Sequence, residues 1–329
     1  MATAEQVKAL IRSHADGDDA RFYAIAVQVA AQAARSGHAK FALELRELVD
    51  QVKARAKSPP PSRGPKPVPL AQPRGELAGL LTVAYPKTRV GDMALADALR
   101  TRIDRVLTEQ RERDRLREHG FSPMRKLLLV GNPGTGKTMT AAALAGELGL
   151  PLFSIQLDAL ITKFMGETAA KLRLVFDAIQ STRGVYFFDE FDALGGERGG
   201  KNDVGEIRRV LNSFLQFLEQ DDSDSLVLGA TNHVALLDRA LFRRFDAVLE
   251  YGLPNAEIAT RVMQARLSLL DTTGVDWLEA AKDAEGLSHA EIAMACEHAA
   301  KNAILSHTTK VQGSELTTAL HERRSHHNT

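Results

Sequence analysis

The octapeptide GNPGTGKT at residues 131–138 constrains this chain more than any other stretch, because a strand must feed it and a helix must leave it. It follows the apolar run Leu127, Leu128, Leu129 and Val130 and opens the alanine-rich residues 139–148. This spacing is that of a phosphate-binding loop. The backbone of Gly131, Asn132, Pro133, Gly134, Thr135 and Gly136 would curl around phosphates, and Met139 would follow on the helix. Lys137 would reach the β and γ phosphates, and the Thr138 hydroxyl would ligate Mg²⁺.

Such a site needs an acidic residue at the end of another buried strand, and residues 185–190, VYFFDE, supply one. Asp189 would hold Mg²⁺ through a coordinated water. Glu190, one step on, is placed to polarise the water that attacks the γ-phosphate.

Beyond these two motifs the chain resembles the AAA+ ATPases, specifically their AAA branch, because further segments follow in that family's order. Residues 226–229 form an apolar strand running into Ala230, Thr231 and Asn232, similar to the family's sensor 1 strand, so Asn232 would orient the lytic water or contact the γ-phosphate. Residues 237–246, LDRALFRRFD, resemble the arginine-finger segment. Arg243 and Arg244 are adjacent, as in the katanin and spastin group, and both are candidate fingers. A finger acts on the neighbouring subunit's ATP, so the resemblance implies a homo-oligomeric ring, expected to be a hexamer. Between the two nucleotide motifs, Phe164, Met165 and Gly166 resemble the aromatic pore loop that grips a threaded polypeptide. The glycine-rich residues 195–200 match the place of a second pore loop. Arg208 and Arg209 stand where the family often contacts the adjacent subunit's nucleotide, although a solvated helix face accounts for them equally.

The resemblance implies an α/β fold. A P-loop αβα sandwich with a parallel sheet would occupy residues 76–254, and a small α-helical lid residues 255–329. In the lid, residues 286–292, GLSHAEI, resemble a family segment lying over the adenosine, with His289 in place of the usual glycine. His289 would either stack near the ribose or base or sit solvated at a helix start. The branch typically lacks a sensor 2 arginine, and none is evident in the sequence.

Residues 58–75 are rich in proline and read as a semi-rigid linker. Before them, residues 1–57 carry apolar residues at helical spacing, Phe22, Ile25, Ala26, Val29 and Ala33, then Phe41, Leu45 and Leu48. A three-helix bundle that recruits adaptors or substrates is expected.

With 42 basic and 42 acidic residues the chain carries no net field for nucleic acid or anionic lipid. The arginines of residues 100–117 alternate with acids and read as an ion-paired helix. Cys296 is the single cysteine, which forbids an intrachain disulfide. With no leader or long apolar segment in the sequence, a cytoplasmic protein without a membrane partner is expected. The resulting expectation is an ATP- and Mg²⁺-dependent ring motor that remodels, unfolds or threads a protein client. The alternatives are an ATP-dependent switch on a partner enzyme, such as the subtilisin-like protease paired with some similar short bacterial AAA proteins, and a nucleic-acid motor.

Overall fold

The computed structural model describes residues 75–160, 165–190, 203–233 and 242–327, with Ile25, Val29 and Pro73 as isolated positions. Two compact units divide the chain, residues 1–66 and 67–329, and the elements below belong to the second. In the first, Ile25 and Val29 are helical and Val29 is buried. The rest of the expected bundle lies outside the described residues, as do nearly all of the linker, Phe164, residues 191–200 and residues 234–241. The backbone of Arg208 and Arg209 is helical, but their side chains also fall outside.

The strands are β1 (Leu81–Ala84), β2 (Lys126–Gly131), β3 (Leu152–Ile155), β4 (Val185–Phe188), β5 (Leu226–Thr231) and β6 (Ala247–Tyr251). They form one sheet in the order β1-β3-β4-β5-β2-β6, with β1 antiparallel to β3 and every other pair parallel. Helices alternate with them: α1 (Asp97–Arg111), α2 (Arg113–Glu118), α3 (Lys137–Leu148), α4 (Leu157–Leu160), α5 (Met165–Ser181) and α6 (Asp203–Gln220). Four more follow the sheet: α7 (Ala256–Arg266), α8 (Trp277–Asp283), α9 (His289–Leu305) and α10 (Gly313–His327).

The unbroken apolar runs are explained by helices on both faces of the sheet, since a parallel strand buried on both sides has no solvent face to keep polar. Alternate residues of β2 point to opposite layers. Leu127 and Leu129 join Phe187, Leu228 and the α1 and α3 residues Ile103, Val106, Ala141 and Leu144 in one core. Leu128 and Val130 join Tyr186, Phe188, Val227 and the α5 and α6 residues Val175, Phe176, Phe214 and Leu218 in the other. Phe188 meets Phe214 edge to face with ring centroids 5.0 Å apart. This is an α/β sandwich.

At its start β2 is pinned by Asp246, whose carboxylate accepts from the backbone N–H groups of Arg125 and Lys126 at 2.8 and 2.9 Å. The chain leaves β2 toward β3 on one side, whereas β6 later pairs with β2's other edge. Such a change of direction opens a crevice beyond the carboxyl ends of the strands.

The arginine-rich stretch forms two helices and not one, because Glu112, at φ −96° and ψ 17°, interrupts them. Arg100–Asp104 and Arg105–Glu109 are i,i+4 ion pairs at 3.1 and 2.9 Å, as the alternation of charges implied. After the break, Arg117 pairs with Asp224. The opposite face of α1 is buried through Leu99, Ile103, Val106 and Leu107.

Helices α7 to α10 share a separate core around Ile258, Met263, Ile292, Leu316 and Leu320. Asn255 caps α7 by accepting from the Ile258 N–H at 2.9 Å. Among the described residues no helix is long and apolar enough to cross a membrane.

Leu128 is fully buried on β2, an interior strand of the sheet. Leu128→Ala should therefore lower stability by about 2–5 kcal/mol, seen as a lower urea midpoint.

Candidate nucleotide site

The phosphate loop leaves β2 and enters α3, as the local pattern required. Its lysine is almost wholly enclosed: Lys137 is 6% exposed, and its ammonium donates to the carbonyls of Gly131 and Asn132 at 2.7 and 2.8 Å. Thr135 closes the turn by donating to the Asn132 carbonyl at 2.7 Å. The N–H groups at the start of a helix, with the dipole behind them, favour an anion here.

β4 and β5 deliver the other groups. Thr138 Oγ1 lies 3.0 Å from Asp189 Oδ2, so the hydroxyl and the carboxylate expected to serve one cation are in contact across 51 residues of sequence. The second Asp189 oxygen accepts from the Glu190 N–H at 2.9 Å. Glu190 follows at φ 49°, a conformation rare outside glycine. Asn232 stands just past the end of β5, where the His233 N–H donates to Thr231 Oγ1 at 3.0 Å.

These groups line a cleft of about 890 Å³ together with Pro133, Gly134, Gly136 and Met139. One wall is the loop containing Gly91 to Leu95, and another is the helical unit, through Val262, Arg266, His289 and Ala290. The structure thus gathers Lys137, Thr138, Asp189, Glu190 and Asn232 at one place. A hydroxyl and a carboxylate beside an enclosed ammonium fit an MgATP-type ligand, with Thr138 and Asp189 as the residues that could hold the cation.

Arg243 and Arg244 do not line this cleft. Arg243 is exposed, whereas Arg244 is half-buried with Nε 2.9 Å from Glu219 of α6. Met165 and Gly166 form the first turn of α5 and not the preceding loop; the structure describes their backbone only.

His289 is half-buried and is not a solvated helix-start residue. Ser288 is the N-cap of α9 and forms a reciprocal capping box with Glu291, and the next residue, His289, places Nε2 3.1 Å from the Ala94 carbonyl. Burial holds its pKa below the ordinary histidine value, the bond to Ala94 opposing this. Beside it the Ala290 N–H donates to the Gly134 carbonyl at 3.0 Å, so two consecutive residues of α9 grip the loops on both sides of the cleft.

Three contributors escaped sequence reasoning. Residues 91–95 carry no motif. Arg266 brings a cation to the cleft from α7, although no lid arginine was evident in the sequence; it lies 3.7 Å from Glu297. The capping box could have been found from its Ser-x-x-Glu spacing.

A family model described as "ATPase family associated with various cellular activities (AAA)" matches residues 127–253, from β2 to just past β6. The "Uncharacterized AAA family ATPase y4kL" of Sinorhizobium fredii is 33% identical over 323 residues, covering 98% of this chain and 96% of that protein. The chain belongs to the AAA family of ATPases. Other relatives match over a smaller share of the chain. The proteasome-activating nucleotidase of Methanospirillum hungatei is 33% identical over 62% of this chain and 52% of its own length. The meiotic spindle formation protein mei-1 of Caenorhabditis elegans is 33% identical over 60% of this chain and 44% of its own. These matches do not separate the katanin and spastin subgroup from the rest of the AAA family.

Gly134 has φ +72°, and a Cβ there would lie 2.7 Å from Ser288 Oγ and 2.9 Å from Ala290 Cβ. Gly134→Ala is expected to push α9 off the phosphate loop and weaken nucleotide binding at least about tenfold, a tenfold loss being 1.4 kcal/mol. Titration with a fluorescent ATP analogue checks this; unchanged affinity would show that the contact does not shape the site.

Proposed function

We propose that this chain assembles into a ring, of six subunits, that uses ATP hydrolysis to remodel, unfold or thread protein substrates. The observation that carries the ATPase half is the Thr138–Asp189 contact with Glu190 next in line and Lys137 enclosed beneath the loop. Lys137 neutralises phosphate charge, and Thr138 and Asp189 would hold Mg²⁺, which when bound would supply positive charge at the transferred phosphoryl group. Glu190 accepts the proton of the attacking water, and Asn232 orients that water. Each role depends on a group held just past a strand end or at the start of α3 and needs no movement within the sheet.

The ring rests on the placement of the two arginines outside their own cleft. Arg243 is the finger in this reading: it is exposed and free to reach a neighbour's γ-phosphate. Arg244 holds the segment against α6 through Glu219. The client half rests on the family and on the names of its members, among them a proteasome-activating nucleotidase. In this proposal Phe164, followed by Met165 and Gly166, grips the polypeptide, and residues 1–57 recruit it across the linker at 58–75. The ATPase core spans residues 76–254 and the lid 255–329. The setting is cytoplasmic, with neither membrane nor nucleic acid as partner.

Two experiments test the reading. Glu190→Gln should retain ATP while losing turnover by about 10²–10⁴-fold, and from cells it should hold client polypeptides that are lost when Phe164→Ala is added. Retention of one stoichiometric enzyme regardless of Phe164 would replace threading by a switch on that enzyme.

Arg243→Ala should lose at least about 10³-fold in turnover, and mixing it with Lys137→Ala subunits should restore part of the activity, since each variant supplies what the other lacks. No recovery in mixed assemblies would refute a finger acting between subunits.

A further inference from the structure

The last residue of β6 touches the start of the phosphate loop directly and reaches its end through one intermediary. Tyr251 pairs in register with Gly131, the residue at which the loop begins. The approach is so close that a Cβ on Gly131, at φ +150°, would lie 2.2 Å from the Tyr251 carbonyl oxygen. At the other end, the Tyr251 phenol donates to Thr140 Oγ1 at 2.7 Å. Thr140 in turn donates to the Gly136 carbonyl at 3.1 Å, and its own N–H reaches that carbonyl at 2.9 Å. Gly136 is the last loop residue before Lys137 and sits at φ +103°.

Both side chains are withdrawn from water, Tyr251 at 5% and Thr140 at 0% exposure. The relay therefore has no solvent substitute, and a lost partner would leave a buried hydroxyl unsatisfied. Burial also drives the Tyr251 pKa up, keeping the phenol protonated as the donor that the relay needs. Thr140 lies less than one helical turn beyond Lys137, so what fixes Thr140 fixes the part of α3 that carries Lys137 and Thr138.

We propose that Tyr251 is a positioning residue for ATP hydrolysis: it braces the phosphate loop at its entry through the backbone and at its exit through Thr140, setting Lys137 and Thr138 against Asp189. This rests on the ATPase reading above. The consequence is functional as well as structural, because a misplacement near 1 Å in such a site costs about 10²-fold. Neither residue belongs to the phosphate-loop motif, and Tyr251 lies 111 residues from its partner.

The test compares Tyr251→Phe, which deletes only the hydroxyl, with Thr140→Val, which keeps shape and removes the relay, and with Thr140→Ser, which keeps the donor and acceptor. ATP affinity is read by titration in the Glu190→Gln background, and KM and kcat are read in the parent background. Tyr251→Phe and Thr140→Val are each expected to raise the ATP Kd and KM about 5–20-fold, with Thr140→Ser within about twofold of the parent. The double variant Tyr251→Phe with Thr140→Val should be no worse than Thr140→Val alone, since both break one relay. Parental KM, kcat and Kd in Tyr251→Phe and Thr140→Val would overturn the proposal, even if their melting temperatures fell, and so would additive losses in the double variant. Failure of the ATPase reading is distinguishable, because there the unsubstituted chain would itself hydrolyse no ATP.

Discussion

Everything at the cleft depends on β2 being immobile. Its edges are paired to β5 and β6, its side chains are sealed into two cores, and its first residues are held by Asp246. A strand fixed on every side ends at a fixed point. The phosphate loop starts there, and so inherits a position it could not hold by itself, since a loop rich in glycine has little intrinsic preference for one conformation. β4 and β5 are likewise paired on both edges, and the residues that follow them include Asp189 and Asn232.

Among the described residues, hydrogen bonds from the helical unit reach the loops that line the cleft. Ala290 bonds the phosphate loop and His289 bonds Ala94, each by a single hydrogen bond. Between them the cleft is walled partly by the sheet unit and partly by the helices. A ligand that fills it touches both, and a change in the ligand's charge alters what both walls must accommodate. In the proposed reading, a local event at a phosphate would be converted here into a change of angle between packed bodies. The segment from Arg243 to Asp246 has a comparable double role: its aspartate anchors β2, while its first arginine faces outward and its second is tied to α6.

Much of this was legible along the chain because the governing patterns are local. The phosphate loop, the apolar runs of β2, β4 and β5, and the buried face of α6 through Leu211, Phe214, Leu215 and Leu218 need only neighbours in sequence to be recognised. The arginine-rich stretch was readable as ion pairs for the same reason, since i,i+4 spacing is a local rule, but the pairing of Arg117 with Asp224, 107 residues away, was not. His289 illustrates the limit: from sequence it was either a nucleoside contact or a solvated residue, and only the approach of Ala94, 195 residues distant, buries it.

The sequence by itself determined the chemistry: which residue types stand after which strands, and therefore that an ammonium, a hydroxyl and two acids would be offered at strand ends. Tertiary structure alone decided their convergence and their supports. The order β1-β3-β4-β5-β2-β6 places β5 beside β2 and β4 next to β5, the walls come from residues 91–95 and from Arg266, and Tyr251 meets Thr140 beneath the loop. The physical reason is that motif residues are specified by backbone geometry over a few positions, whereas the groups that hold them are chosen by which surfaces come to lie together when the cores close, and that information is spread over the whole chain.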